Sequence, residues 1–398
     1  MSRCVLFLLN KRGYDYGDYG CEYGCGGCGA CANCTGKGGT RPGELPWSRN
    51  SGLFNSCAFV VDMLNASGVP ARLIQIANDK DIFNAIASVE PTDIVFEAFF
   101  AAPETVDKIT KAHPSIRCFV RNHSEILFLS HDSNAMNWIA GYLRNPHMHV
   151  SSNTARSVAD LRRVARAFHP HWDEDTIKHR VELLPNYHPV EAPMPRIPSP
   201  FGVLNVGCLG AIRQQKNHLL QAVSALEVAR RLEKRLRFHV NASRVEHLSG
   251  GTLKNLRALF RNAPNAELVE HDWLNRPQFL DLCRRMDIGM QVSLSETFNI
   301  VTADCVQESV PVLGSPEIPW IDKRVQADPS EGADIIKKML IALRTPSIVR
   351  SNRVGLLQYN ERSRQAWLGV FGQRGHGWTD APRSLKARPA ITSVATHL

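Results

Sequence analysis

Two carboxylates, Glu296 and Asp304, flank the start of a short helical pattern in the segment DIGMQVSLSETFNIVTADCVQESVPVLG, Asp287 to Gly314. Between them, the first turn of the helix offers unpaired N–H groups at the positive end of its dipole, near Asn299 and Ile300, where a phosphate can bind. Glu296, in the turn before the helix, can take sugar hydroxyls, and Asp304, inside the helix, the hydroxyls of a ribose. Thr297 lies beside them as a further substrate contact. The elements that must hold these groups read as strand, turn, helix and strand. Asp287 to Val292 has the length and apolar content of a strand, with Gly289 its weak point. Ser293 to Thr297 is polar and turn-like, and Ser295 or Thr297 is the expected cap. Asn299 to Glu308 is the helix, with Ile300, Val301, Cys305 and Val306 on its apolar face. Ser309 and Pro311 end it, and Val310 to Leu313 begins the next strand.

This E-x7-D element resembles the E-x7-E element of GT-B glycosyltransferases, in the large retaining group that includes sucrose and glycogen synthases. Asp304 stands where that group has a second glutamate, which keeps the charge and shortens the reach by one methylene. The resemblance implies an α/β protein of two Rossmann-like domains with parallel sheets, facing each other across a cleft. The donor binds mainly to the second domain and the acceptor to the first. The implied reaction is glycosyl transfer from a nucleotide-diphosphate sugar with retention and with no metal or other cofactor required for catalysis. Arg213 and Lys216, in GCLGAIRQQKNHLLQAVSAL, would grip the donor diphosphate from the start of a long helix. Such chemistry needs them, because a departing diphosphate develops negative charge that fixed cations stabilise. Glu296 would position the sugar, Asp304 hold the ribose, and His123, in FVRNHSE, contact the sugar from the opposite wall. His271 to Leu274 resembles the loop that borders the nucleotide base, where Trp273 would stack. No side chain stands out as a nucleophile, which fits mechanisms in which the leaving-group oxygen assists the incoming hydroxyl.

The rest of the chain alternates strands and helices, the pattern of parallel sheets covered on both faces. In the first half, Cys4 to Leu9, Ala71 to Ile76, Thr92 to Phe99, Ile116 to Arg121, His149 to Ser152 and Glu182 to Leu184 read as strands. Ser51 to Gly68, Asp79 to Ser88 and Glu104 to Ala112 read as helices. Ligands of such sheets sit at the carboxyl ends of the strands. That places His123, Glu97 and Asn55 at the cleft, with Glu97 an acceptor-side candidate. Pro185 to Gly202 holds six prolines and reads as an extended linker. In the second half, Val203 to Val206, Arg237 to Asn241 and Ala266 to Glu270 are strands, and Pro277 to Arg285, Ile335 to Leu343 and Val354 to Trp367 helices. The expected division is a first domain over 1–187 with an insert at 11–50, a linker over 188–202, a second domain over 203–371 and a basic, disordered tail over 372–398.

At 398 residues the chain is long enough for two domains, and its 43% hydrophobic content is that of a globular protein. No apolar run has the length of a membrane span, and the run after Arg3 is too short for a signal peptide, so a cytoplasmic protein is expected. Cys25, Cys28, Cys31 and Cys34 repeat at a regular C-x2-C spacing in a Gly- and Tyr-rich segment. Thiolates at that spacing can converge on one ion, with zinc the first reading and an iron–sulfur cluster the second; a low-complexity loop would look the same. The net charge of +9 favours an anionic partner. SGLFNSCAFVVDMLNASGVPARL, VFEAFF and VRNHSEILFL resemble glycosyltransferase-like proteins of tailed bacteriophages. With the basic balance and the tyrosines of the insert, that makes DNA an expected acceptor, through a hydroxymethylated pyrimidine flipped out to reach the cleft. A lipid-linked or surface-polysaccharide acceptor, with peripheral contact to an anionic membrane, is the alternative. A binding protein without catalysis is a third.

Overall fold

The structure is a computed structural model that describes residues 3–10, 51–130, 132–246 and 249–372. The cysteine insert, with Cys25, Cys28, Cys31 and Cys34, and the basic tail beyond Gly372 lie outside the described residues.

The first sheet is built from β1 (Val5–Asn10), β2 (Ala71–Ile76), β3 (Asp93–Glu97), β4 (Arg117–Asn122), β5 (Met148–Ser152) and β6 (Val181–Leu183). Its order is β2-β1-β3-β4-β5-β6, and every pairing is parallel. The connecting helices are α1 (Gly52–Ala66), α2 (Asp79–Val89), α3 (Pro103–Ala112), α4 (Ile126–Leu129), α5 (Ala135–Arg144), α6 (Ala155–Phe168) and α7 (Glu174–Arg180). Residues 184–200 carry neither helix nor strand, as their prolines require.

The second sheet follows, from β7 (Val203–Ile212), β8 (Arg235–Val245), β9 (Ala266–His271), β10 (Ile288–Gln291) and β11 (Val312–Gly314). Its order is β11-β10-β7-β8-β9, again parallel throughout. Its helices are α8 (His218–Arg231), α9 (Gly250–Arg261), α10 (Arg276–Arg284), α11 (Ile300–Gln307), α12 (Gly332–Arg344) and α13 (Ser347–Phe371). Each sheet has its own buried core, and α13 joins them. Ile348 and Leu356 near its start belong to the second core. Trp367 and Phe371 at its end pack with Val5, Phe7 and Phe119 of the first sheet. Two Rossmann-like halves across a cleft make this the GT-B fold.

Two local expectations need correction. β7 does not stop at Val206; it runs to Ile212 and is followed by a 3-10 turn, Gln214–Lys216, so α8 starts only at His218. GCLGAI resembles a loop because of its glycines. Gly210 instead takes φ +100° inside the strand, at a register shift that lets β7 continue beside β8. A side chain at Gly210 would also crowd Val301, its Cβ 3.3 Å from Cγ2. Second, α11 is capped by Asn299, in the left-handed region with φ 60°, and not by Ser295 or Thr297. Asn299 Oδ1 accepts the Thr302 N–H at 2.9 Å, which leaves the preceding turn free to project Glu296.

Candidate functional site

The carboxyl ends of β7 and β10 meet at Glu296. Lys216 Nζ pairs with Glu296 Oε1, and Asn299 Nδ2 donates to the same oxygen at 3.0 Å. Asn299 Nδ2 also reaches Gln291 Oε1 at 2.9 Å, and Gln291 Nε2 donates to the Leu209 carbonyl at 2.9 Å. A chain of buried amides therefore ties the turn to both strands. Glu296 keeps 11% of its side chain exposed and Lys216 15%, so the pair is mostly buried with a small opening to solvent.

Arg213 turns elsewhere. Its Nε lies 2.5 Å from Glu246 Oε2, and Arg244 Nη2 lies 2.5 Å from Glu246 Oε1. The Arg244 guanidinium covers the Trp273 ring at 4.6 Å. Burial lowers the Arg244 pKa from its ordinary value. Arg213 and Lys216 thus hold different carboxylates, and one face of Trp273 is occupied by an arginine. The Trp273 Nε1 is buried without a hydrogen-bond partner among the described residues.

The opposite wall comes from the first sheet. His123 follows β4, and its Nε2 lies 2.6 Å from Glu97 Oε2. Glu97 and Arg121 are register neighbours on β3 and β4, both fully buried, and Arg121 Nη1 lies 3.1 Å from each oxygen of Glu97. Burial opposes the charge on Glu97, but Arg121 and the hydrogen bond from His123 hold its pKa below the usual value. Burial, then the Arg121 charge, lowers the His123 pKa from its ordinary value, which favours the neutral ring. These partners assign the tautomer: Nε2–H donates to Glu97, and Nδ1 accepts from Asn153 Nδ2 at 3.4 Å. Glu97 is therefore no free acceptor-side carboxylate. It is 1% exposed and committed to positioning His123.

The two walls touch. Asn153 Nδ2 donates to Thr297 Oγ1 at 3.0 Å, and Thr297 Oγ1 donates to the His123 carbonyl at 3.3 Å. Arg156 at the start of α6 makes an ion pair with Glu317, Nη2 to Oε2 2.5 Å, and the Glu296 N–H lies 3.4 Å from that same oxygen. Asn55 is in the first turn of α1, half-buried, with its N–H on the Ser51 carbonyl at 3.0 Å. Gly52 beside it packs closely on Ile300, a Cβ there coming 3.1 Å from Cγ2, so the starts of α1 and α11 abut.

Asp304 is where the structure departs most from expectation. It is 3% exposed, and its Oδ1 receives Arg276 Nη1 at 2.5 Å and lies 2.9 Å from His188 Nε2. Arg276 also lies over the Phe59 ring at 4.7 Å. A ribose can reach this carboxylate only by displacing or sharing Arg276, whose side chain keeps 22% exposure. A cavity of about 550 Å³ between α1, the linker, α10 and α11 shares Arg276 but holds neither Glu296 nor Lys216; Phe59, Tyr187, Arg284 and Glu308 line it.

Sequence reading missed Arg121, Asn153, His188, Arg276 and the Arg156–Glu317 pair. A signal existed for Arg121 alone: an arginine inside the apolar run CFVRN needs a buried partner, and Glu97 on the adjacent strand is one. The others meet through tertiary contacts that no local spacing encodes.

No protein-family model matches the chain, and no curated protein matches it in sequence. Solved structures do match in fold. An apo structure of OtsA has TM-score 0.58 at 10% identity over 75% of this chain and 77% of its own. Sucrose-phosphate synthase from Thermosynechococcus elongatus has TM-score 0.57 at 10% identity over 92% of this chain and all of its own. A trehalose-6-phosphate protein from E. coli bound with UDP-2-fluoro glucose has TM-score 0.53 at 10% identity, covering 75% and 77%.

Proposed function

We propose that this chain is a glycosyltransferase that moves a sugar from a nucleoside-diphosphate donor to a hydroxyl acceptor, with retention and without a catalytic metal. The observation that carries the reading is Glu296 in the turn before α11, paired with Lys216 and Asn299, with Thr297 beside it reaching the His123 carbonyl of the opposite wall at 3.3 Å. A donor sugar between these walls has a carboxylate for its hydroxyls on one side and an imidazole on the other. Lys216 would exchange part of its contact with Glu296 for the diphosphate as charge develops there, with Arg213 second in line. The amino-terminal end of α11, at Ile300 and Val301, adds positive potential at the same end. Solved structures of similar fold, one bound with UDP-2-fluoro glucose and one of a trehalose-6-phosphate synthase studied for glycosyl transfer with retention, support the same chemistry.

For the acceptor, the reading is a hydroxymethylated pyrimidine in DNA. The net charge of +9 supports it by favouring a polyanion. The first test is the melting temperature in the presence of UDP, GDP, ADP and their glucose conjugates, with Lys216→Ala alongside. One nucleotide series is expected to stabilise the wild type and to lose that effect in the variant. Stabilisation by none of them would sink the donor assignment. Labelled sugar passing to hydroxymethylated DNA and not to unmodified DNA supports the acceptor; transfer to neither overturns it.

A further inference from the structure

At the amino-terminal end of β5, away from Asn153, three side chains converge that the proposed reaction does not use. We propose that His149, His179 and Glu182 form a binding site for a divalent transition-metal ion of the zinc type. Their ligand atoms, one from each, lie within 4.8 Å of one another. His149 is 3% exposed; its Nδ1 lies 3.5 Å from Glu182 Oε1 and donates to the His179 carbonyl at 2.8 Å, a proton and hydrogen bond that an ion bound at Nδ1 would replace. Phe119 stacks on its ring at 4.5 Å and fixes the ring plane. The second oxygen of Glu182, Oε2, is buried with no hydrogen-bond partner among the described residues. An unpaired carboxylate oxygen costs free energy that a bound cation would remove. The His179 ring closes the group from the solvent side, 4.9 Å from that of His149 and at 82° to it.

Two imidazoles and a carboxylate are a donor set that zinc accepts, and three protein ligands leave a fourth position for water. At bond lengths of about 2.1 Å, tetrahedral donors stand roughly 3.4 Å apart. Closing the present gap requires the exposed His179 side chain to turn toward the other two ligands. The nearest cations are already engaged. Arg117 pairs with Asp93 at 2.5 Å, and Arg180 donates to the carbonyls of Met148, Leu143 and Asn145. A bound ion would staple α7 and the three-residue edge strand β6 to β5.

The test strips the full chain with a chelator and titrates it with Co2+, with His179→Ala and Glu182→Gln alongside. Cobalt on the cysteines between Cys21 and Cys34 would show a strong thiolate charge-transfer band, whereas cobalt on imidazole and carboxylate shows only weaker d–d bands. The expected result is one equivalent of Co2+ with the second signature, lost in His179→Ala whatever the cysteines bind. Zinc is likewise expected to raise the melting temperature of the wild type more than that of His179→Ala. Because His179 is exposed, its substitution leaves the core intact. Equal stoichiometry, spectra and melting shifts in the wild type and both variants would overturn the site.

Discussion

Asn153 Nδ2 donates a hydrogen bond to Thr297 Oγ1 at 3.0 Å, from one sheet to the other. The residue next to Glu296 is thereby fastened to the wall that carries His123. Removing the Thr297 hydroxyl should loosen that registry while Glu296, Lys216 and Asn299 keep their mutual contacts. Thr297→Val is expected to lower kcat about tenfold, the equivalent of about 1.4 kcal/mol, with little change in nucleotide affinity. Steady-state sugar transfer beside a nucleotide titration checks it; an unchanged kcat would show that the contact is incidental.

In the proposed reaction, Glu296 and Lys216 are the pair on which transfer would depend. Glu296→Gln keeps the shape and removes the charge, and Lys216→Ala removes the cation nearest the proposed leaving group. Each is expected to reduce kcat/KM by roughly a hundredfold or more, the scale found when one preorganised electrostatic contact is deleted. Full transfer by either variant would remove that residue from the reaction.

Asp304 is predicted to matter twice. Its alanine variant leaves Arg276 and His188 without their shared carboxylate, and breaking such a buried pair costs about 3 kcal/mol. The urea midpoint should fall accordingly. Nucleotide affinity should fall as well, by about tenfold if the carboxylate also holds the ribose. Arg276→Ala separates the two roles, because it uncovers Asp304: nucleotide binding should then hold or tighten. Weaker binding in Arg276→Ala would make the arginine, and not the aspartate, the nucleotide contact.

Acid should unfold this protein through its buried histidines. Burial, then the Lys216 charge, lowers the His218 pKa to about 4, and burial, then His271, lowers that of His239 to about 3. An unfolded histidine titrates near 6.5, so the unfolded chain binds these protons first. Stability is therefore complete above pH about 6.5 and lost as the pH falls toward about 4. Urea midpoints measured from pH 7 to pH 4 should decline, and His218→Asn should flatten part of the decline. A flat profile in the wild type would contradict the burial of these rings.

Much of this architecture is legible in the sequence because apolar runs of strand length alternate with helical periodicity. β1, β2, β4 and α1 can be read from Cys4 to Leu9, Ala71 to Ile76, Ile116 to Arg121 and Ser51 to Gly68 with little error. Reading failed where glycine has two meanings. Gly207 and Gly210 suggest a loop, but they allow a strand to bulge and pass closely under Met286 and Val301. The same error placed Arg213 and Lys216 at a helix start, when they occupy the turn before it. Glu97 shows the other limit. Its position at a strand end is readable, but its commitment to Arg121 and His123 depends on the register between two strands, which no window of sequence contains.

Two stretches of chain pass between the halves, the proline-rich linker and α13, and they are bound to each other. Asn360 on α13 accepts the His188 N–H at 3.1 Å and donates to the His188 carbonyl at 2.6 Å. The same two stretches meet again on either side: Trp367 Nε1 donates to the Pro185 carbonyl at 2.7 Å, and Arg353 Nη2 to the Glu191 carbonyl at 2.5 Å. Linker and helix are thus laced along several turns of α13, next to the Arg276–Asp304 pair, while Asn153 and Thr297 meet elsewhere. A splint of this kind resists separation on its own side, so any opening of the halves is expected on the side of Thr297.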